Sequence, residues 1–123
     1  MSRRQTELSS FRNAMNGIVY ALRTEPHMRM HLAATAIVFA LAGVLELPRG
    51  DWLWLLAVSG VVWIAELVNT AIERAVDLAS PERSELAKAA KDAAAGAVLV
   101  SAALAAIVGL LVLGPPLWER LFP

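Results

Sequence analysis

The stretch WLWLLAVSGVVWIAELVNTAIERAVD, from Trp52 to Asp77, decides the fold. It is uncharged as far as Ala65 and contains no proline, so nothing in it stops a helix. An apolar run that passes into charged residues without a break predicts a membrane-spanning helix with one polar end. The charged residues of that end are Glu66, Glu73, Arg74 and Asp77.

The composition agrees with a membrane protein. Hydrophobic residues make up 58% of the 123 residues, and the mean hydropathy is +0.57. A chain this short cannot bury that much apolar surface in a water-soluble core, so lipid is the expected solvent. The formal net charge is zero, so no strongly basic face argues for nucleic acid. There is no cysteine, which excludes disulfides, thiolate nucleophiles and cysteine-bound metals. The polar start MSRRQTELSS lacks a signal-peptide core, and we expect no cleavage there.

A second span is predicted before the central one. Pro26 suits a first helical turn, because its missing N–H group would find no partner there, and the helix is predicted over about residues 26–47. The LPRGD segment that follows has turn chemistry. Asp51 is the expected N-cap of the central span, predicted over about residues 52–78.

A third span is predicted over about residues 82–114. Ser80 and Pro81 are expected to supply its cap and first turn. The helix is polar at its start and uncharged from Ala93 onward. Gly114, Pro115 and Pro116 are expected to close it.

An amphipathic helix is predicted ahead of the spans, over about residues 5–23. Its apolar residues recur at three- and four-residue spacing. Beside membrane spans such a helix lies flat on the interface or packs against its own bundle, and the two placements are compatible. The apolar residues are Leu8, Phe11, Ala14, Met15, Ile18, Val19 and Leu22.

The basic residues predict the orientation of the chain. If the N-terminus is cytoplasmic, the polar ends of all three spans face the cytoplasm, and only Arg49 and Arg120 lie opposite. That distribution is the one the positive-inside rule favours. No repeat or long linker divides the chain. We therefore expect an all-α, multi-pass membrane protein that forms a single domain over residues 1–123.

Three carboxylates share one face of the central helix. At 100° per residue, Glu66, Glu73 and Asp77 point within about 40° of one another, with Asn69 about 60° to one side. Ionisable groups at membrane depth are costly unless they are paired, bind metal or face a polar cleft. A simple interfacial pair of Asp77 with Arg74 is the alternative for the outermost of them.

Other charged residues stand at the same membrane boundary. The apolar part of the third span is preceded directly by Lys91 and Asp92. Taken alone, Lys91 could be an anchor whose charge reaches the membrane interface, and Asp92 could pair with Lys88 one turn earlier. Glu25 and Arg29 are one turn apart and in isolation read as a surface pair.

Together these residues favour phosphoryl transfer. Carboxylates suit Mg²⁺, which keeps water and substrate phosphate among its ligands, and a lysine offers a point charge to phosphate oxygens. The chemistry needs charge neutralisation, alignment and a base rather than a covalent nucleophile. Because the sequence holds no P-loop and no protein-kinase signature, any phosphotransferase here must be of an unrelated design.

Two motifs carry a family resemblance: ELVNTAIERAVD at residues 66–77 and LAKAAKDAAAGAVL at residues 86–99. They resemble the prokaryotic diacylglycerol kinase and undecaprenol kinase family of small membrane enzymes. The likeness includes TEPHMRMH at residues 24–31 and covers nearly the whole chain. It implies a homotrimer in the inner (plasma) membrane of a bacterium, with active sites between adjacent subunits on the cytoplasmic side.

The resemblance also implies roles for individual residues. Glu66 would be the general base on the lipid hydroxyl and, with Arg29, a contact of the lipid. Glu25 and Glu73 would bind the Mg²⁺ that bridges the ATP phosphates. Ser84 departs from the family pattern, since many relatives carry a histidine there. The residues implied in ATP binding are Asn69, Asp77, Glu82, Arg83, Ser84, Lys91 and Asp92.

The leading hypothesis is therefore an ATP-dependent lipid kinase. The MRMHL segment with His31, and the AAKDAAAGAVL stretch, resemble the undecaprenol-kinase branch more than the diacylglycerol-kinase branch. A diacylglycerol kinase making phosphatidic acid is the alternative. A second class of function is a non-enzymatic membrane subunit or ion-conducting bundle, but Lys91 beside metal-binding carboxylates suits a kinase and would impede a cation pore.

Overall fold

The computed structural model describes residues 3–123, and these form four α-helices without a strand. They are α1 (Arg3–Thr24), α2 (Pro26–Val44), α3 (Arg49–Ala79) and α4 (Glu85–Leu121). The last three are long and apolar enough to cross a membrane. The prediction of an all-α membrane protein with an N-terminal surface helix and three spans is confirmed.

Helix α1 has one end on the bundle and one end away from it. Ala21 is buried, whereas Leu8 and Phe11 are about 70% exposed. Met15 and Val19 continue this uncovered apolar stripe. The last turns of the predicted amphipathic helix therefore pack against the spans, and its apolar face is uncovered. Its placement on the membrane interface stays a prediction.

Helix α2 ends three residues before its predicted end at Leu47. The N–H of Glu46 donates to the carbonyl of Gly43, and that of Leu47 donates to the carbonyl of Ala42. With Glu46 at a φ of 53°, these bonds form the Schellman motif that closes many helices. The residue before a proline also avoids helical geometry, which explains why the helix stops ahead of Pro48.

The predicted start of α3 was wrong. Its N-cap is Pro48 rather than Asp51, and the helix begins at Arg49. Asp51 lies in the first turn, and its N–H donates to the carbonyl of Pro48. A carboxylate in the first turn still stabilises the helix through its interaction with the helix dipole.

The predicted start of α4 at residues 80–82 was also wrong. The helix begins at Glu85, and Ser84 is its N-cap, with its hydroxyl oxygen accepting the N–H of Ala87 at 3.0 Å. The hydroxyl of Ser80 instead donates to the carbonyl of Glu82 within the loop. A cap residue is defined by such a bond to the first turn, and only Ser84 makes one here.

The prolines expected to end α4 lie inside it. The helix runs through Pro115 and Pro116 to Leu121 rather than ending at Gly114. Each proline removes one backbone donor, but an end in the hydrocarbon would expose more unpaired groups than a continued helix does.

The apolar end of the bundle is tied by contacts between all three spans. Ala42 and Leu55 are buried there, and Phe39 stacks on Trp52 with 5.7 Å between ring centroids. Arg120 of α4 donates to the carbonyl of Val44 at the end of α2. Helix α3 has 31 residues, about 46 Å at 1.5 Å per residue, so it extends well beyond a hydrocarbon core of about 30 Å. Its last turns, with the start of α2 and α4, form the polar end.

Candidate active site

Glu66 is the most deeply buried carboxylate of the polar end. It is 4% exposed, and its Oε2 lies 3.8 Å from Nε2 of His31 on α2. The backbone carbonyl of Glu66 accepts a hydrogen bond from the hydroxyl of Thr70. Among the described residues His31 is the one basic side chain within ion-pair distance of this carboxylate. The contact brings α2 and α3 together where the apolar part of α3 ends.

One turn further along α3, the amide of Asn69 is tied to Glu73. Its Nδ2 donates to Oε1 of Glu73 at 3.3 Å. Its Oδ1 is buried and has no hydrogen-bond partner in the described part of the chain. The orientation of the amide follows from Glu73, because the opposite orientation would set two acceptor oxygens against each other. A buried carbonyl oxygen without a donor is suited to a cation.

Arg74 gathers residues from three parts of the chain. Its Nη2 donates to Oε1 of Glu25, and its Nη1 lies 3.9 Å from Oε2 of Glu73. Its Nε donates to the hydroxyl of Tyr20 at 2.7 Å, which joins α1 to α3. Oε1 of Glu25 also accepts from the hydroxyl of Thr24. Two carboxylates that are far apart in sequence therefore flank one guanidinium. We call Glu25, Glu66, Asn69 and Glu73 the inner cluster.

The loop between α3 and α4 borders a polar cavity of about 640 Å³. Lys91 donates to Oδ1 of Asp77 across it, and Lys88 donates to Oδ2 of Asp92 along α4. All four side chains are substantially exposed to solvent. This loop cavity is lined by Asp77, Glu82, Arg83, Ser84, Lys88, Lys91 and Asp92, among others.

Comparison of the sequence with known proteins identifies the family of this chain. Residues 12–113 match the family described as prokaryotic diacylglycerol kinase. The chain belongs to this family. It is therefore a lipid kinase, an enzyme that phosphorylates an alcohol group of a membrane lipid, and not a passive pore or subunit.

Three relatives of this lipid kinase show how far the likeness extends. The undecaprenol kinase of Bacillus subtilis (strain 168) is 44% identical over 108 residues, 88% of each chain. A diacylglycerol kinase of Synechocystis sp. is 45% identical over 111 residues, 89% of this chain and 63% of the relative. A diacylglycerol kinase of Pseudomonas aeruginosa is 35% identical over 101 residues, 79% and 82% of the two chains.

The predicted site residues of the lipid kinase fall into neighbouring groups along α3. Glu66 meets His31, and Glu25 and Glu73 meet at Arg74. Six of the seven residues expected at the nucleotide line the loop cavity with Lys88. Asn69 is bonded to Glu73. Arg29 lies apart from them: its Nη1 donates to the carbonyls of Leu22 and Arg23, where it holds the end of α1. Its predicted contact with the lipid stays a prediction.

The simple ion pairs considered from sequence have mixed outcomes. The pair of Lys88 with Asp92 is present. The pair of Asp77 with Arg74 is wrong, because Asp77 contacts Lys91 and Arg74 turns toward Glu25. The surface pair of Glu25 with Arg29 is wrong for the same reason. In both cases a partner from another helix replaces the neighbour along the chain.

Sequence reasoning missed three side chains of this site. Arg74 and Tyr20 bind each other across α1 and α3, and His31 contacts Glu66. His31 could have been recognised from the sequence, because it is the one ionisable residue between Met30 and Leu45. Arg74 follows Glu73 directly, so its charge was visible, but its partners were not.

The inner cluster contains oxygen donors of the kind that divalent cations accept. Within residues 3–123 there is no group of three or more His, Asp or Glu side chains placed to hold a metal ion. Glu25 and Glu73 flank a single cation, Arg74, and the unpartnered Oδ1 of Asn69 lies on the residue bonded to Glu73. Two carboxylates and an amide oxygen are hard donors, which is the donor type that a hard divalent cation prefers.

Proposed function

We propose that this lipid kinase transfers the γ-phosphate of ATP to the terminal hydroxyl of undecaprenol. The observation that carries the proposal is the buried Glu66 carboxylate beside His31, because His31 also lines an apolar cavity of about 240 Å³ between the three spans. Most of its other lining is small or apolar, including Ala34, Ala102 and Gly109. A lipid chain in this cavity would bring its hydroxyl toward Glu66.

Glu66 is the proposed general base. The lipid hydroxyl oxygen attacks the γ-phosphorus, the bond from that phosphorus to the bridging oxygen of ADP breaks, and the hydroxyl proton passes to Glu66. The products are ADP and the lipid phosphate. Burial supports this role, since a base held by surrounding helices keeps one position relative to the acceptor.

Glu25 and Glu73, with Asn69, are the proposed holders of Mg²⁺. When bound, the ion would neutralise charge on the phosphates during transfer. The residues themselves supply a fixed pair of carboxylates from two helices, positioned by Thr24 and Asn69. Glu73 lies on α3 between Glu66 and Asp77 of the loop cavity, so these residues would hold the ion between the proposed base and the proposed nucleotide site.

The loop cavity is the proposed site of the nucleotide. Lys91, Lys88 and Arg83 provide positive charge on its walls. The ion pairs that hold the lysines are exposed and worth little, so phosphate oxygens replace the carboxylate partners at small cost. Glu82, Ser84, Asp77 and Asp92 complete the proposed ATP contacts.

Undecaprenol is preferred to diacylglycerol as acceptor for two reasons. The undecaprenol kinase of Bacillus subtilis matches this chain over nearly the full length of both. The cavity of about 240 Å³ next to His31 also has room for part of one lipid chain more readily than for the two chains of a glycerolipid.

We further propose that the enzyme works as a homotrimer with sites between subunits and a cytoplasmic N-terminus. Many large apolar side chains of α3 and α4 are uncovered in a single chain, such as Ile64 and Leu99. The basic residues near the polar end favour the cytoplasmic side, where ATP is available. Mixed oligomers of Glu66→Gln and Lys91→Ala, assayed at low ATP where both variants are impaired, test the arrangement. Sites between subunits would gain activity over the separate variants, and sites within one subunit would not.

The direct test of the proposed function is transfer of label from γ-labelled ATP in mixed micelles. Undecaprenol and diacylglycerol are offered side by side to the purified full chain with Mg²⁺. We expect labelled undecaprenyl phosphate to form with the higher kcat/KM, and Glu66→Gln to abolish most of it. Label that enters diacylglycerol alone would overturn the acceptor, and no transfer from ATP to either lipid would overturn the proposal as a whole.

A further inference from the structure

The geometry points to Arg74 as a built-in counter-ion of the metal site, one that a divalent cation must displace from Glu25. This inference rests on the proposed metal role of Glu25 and Glu73. It gives a role to Arg74, to which the family resemblance and the proposed chemistry assign none. Its basis is that the guanidinium already contacts both carboxylates of the pair.

The oxygens in question are largely committed to Arg74 and its neighbours. Oε1 of Glu25 accepts from Arg74 and from Thr24. Oε1 of Glu73 accepts from Asn69, and its Oε2 faces Arg74. A divalent cation that bridges the two carboxylates needs the position between them that the guanidinium occupies. Two positive groups on the same oxygens also repel each other, so binding of one weakens binding of the other.

Burial explains why a resident cation is needed. The side chains of Glu25 and Glu73 are only 16% and 31% exposed. Two carboxylates that close together in a partly dry site repel each other unless a positive charge lies between them. Arg74 provides that charge from the same helix as Glu73, and the hydroxyl of Tyr20 accepts from its Nε and holds it in place.

Arg74 is also free to leave. Its side chain is 40% exposed, so the guanidinium has a path to solvent when its carboxylates are taken. Departure breaks its bond to Tyr20 as well, and this couples the metal site to the end of α1. The two cations therefore exchange: Arg74 neutralises the pair in one state, and the divalent ion does so in the other.

The experiment measures Mn²⁺ binding to the full chain in detergent micelles without nucleotide, by the electron paramagnetic resonance signal of free Mn²⁺. We expect Arg74→Gln to bind Mn²⁺ about three- to tenfold more tightly than wild type, the scale of one partly screened charge. Arg74→Lys should lie between the two, since it keeps the charge and loses the two-pronged contact. Arg12→Gln, an exposed arginine of α1, removes the same charge and should bind like wild type.

Tyr20 gives a second readout that does not depend on activity. It is the sole tyrosine of the chain, so 3-fluorotyrosine labelling produces one ¹⁹F resonance. Saturating Mg²⁺ should shift this resonance in wild type, because Arg74 leaves the hydroxyl, and should leave it in place in Arg74→Gln. An unchanged resonance in wild type at saturating Mg²⁺ would overturn the inference.

The variants also separate this inference from the proposed function. If Glu25→Gln and Glu73→Gln bind Mn²⁺ as wild type does, the proposed metal site fails and Arg74 has no such role. If they weaken binding and Arg74→Gln binds no tighter than wild type, Arg74 alone is wrongly assigned. Should Arg74→Gln not fold, an Arg74→Lys protein with wild-type affinity counts against the inference in the same way.

Discussion

The inner cluster and the loop cavity both include carboxylates of α3, yet they are built differently. The side chain of Glu66 is 5% exposed, whereas those of Asp77 and Asp92 are 54% and 62% exposed. Glu66 and Glu25 meet partners from another helix, and Glu73 faces Asn69 and Arg74 of its own. The lysines and aspartates of the loop cavity form solvent-exposed pairs. A buried charge carries a large desolvation penalty and is held in one position by its partners, whereas an exposed charge is hydrated and its side chain can move. We infer that the inner cluster performs the chemistry and the loop cavity accommodates the nucleotide.

The largest loss of activity is expected on replacing Glu66, the most deeply buried carboxylate of the inner cluster. Glu66→Gln keeps the shape of the side chain but cannot accept a proton, and loss of a general base lowers kcat by about 10² to 10⁴. Steady-state kinetics in mixed micelles measure it. Glu119→Gln, an exposed carboxylate near the end of α4, is the matched control and should stay near wild type. If the Glu66→Gln enzyme had a normal kcat, Glu66 would not be the general base.

The second largest loss of activity is expected for the carboxylates of the proposed metal site. Glu25→Gln and Glu73→Gln each weaken the proposed metal site without removing it, so activity at fixed Mg²⁺ should fall by about tenfold to a hundredfold. A Mg²⁺ titration should show the midpoint at higher concentration for both variants. If each variant keeps the wild-type midpoint and turnover, the assignment of these two residues to metal is wrong.

The loop cavity should respond less, and through binding. Lys91→Gln removes one phosphate-directed charge, so KM for ATP should rise by about three- to tenfold with little change in kcat. The rise should shrink as salt is added, because exposed charges are screened. Lys88→Gln, whose side chain is 77% exposed, should have the smaller effect. A large loss of kcat in Lys91→Gln would place this residue with the inner cluster instead.

The smallest effect concerns the helix that carries the loop cavity. Ser84→Ala removes the N-cap of α4 and should lower the free energy of unfolding by about 1 kcal/mol. Unfolding in detergent measures it, with Ser80→Ala as the control hydroxyl outside the helix. Unchanged stability in Ser84→Ala would contradict its role as the N-cap, whatever happens to the KM for ATP, which the proposed nucleotide contact of Ser84 would raise.

The two regions also differ in what the sequence could predict. Helical periodicity places Glu66, Glu73 and Asp77 on one face from the chain alone, because side-chain direction within one helix depends only on spacing. The partners of these residues were not predictable in this way. Arg74 meets Glu25 across 49 positions of sequence, and that contact depends on how α2 and α3 pack.

Helix ends were the weaker part of the fold prediction. The three spans and their shared polar end follow from apolar runs and charge. Their limits depend on local bonds: Glu46 in a left-handed turn ends α2 early, and the hydroxyl of Ser84 starts α4 late. Pro115 and Pro116 were expected to end α4 because proline does so in water, whereas a membrane favours a continued helix.

The central claim is that Glu66 is a base and Glu73 a metal ligand on the same helix face. The most direct test is kcat as a function of Mg²⁺ concentration for Glu66→Gln and Glu73→Gln in the same micelles. We expect Glu73→Gln to regain most of its activity as Mg²⁺ rises, and Glu66→Gln to stay slow at every concentration, because added metal cannot replace a lost base. The opposite result would contradict the account: if Glu66→Gln regained activity with Mg²⁺ and Glu73→Gln stayed slow, Glu66 would be the metal ligand and Glu73 the base.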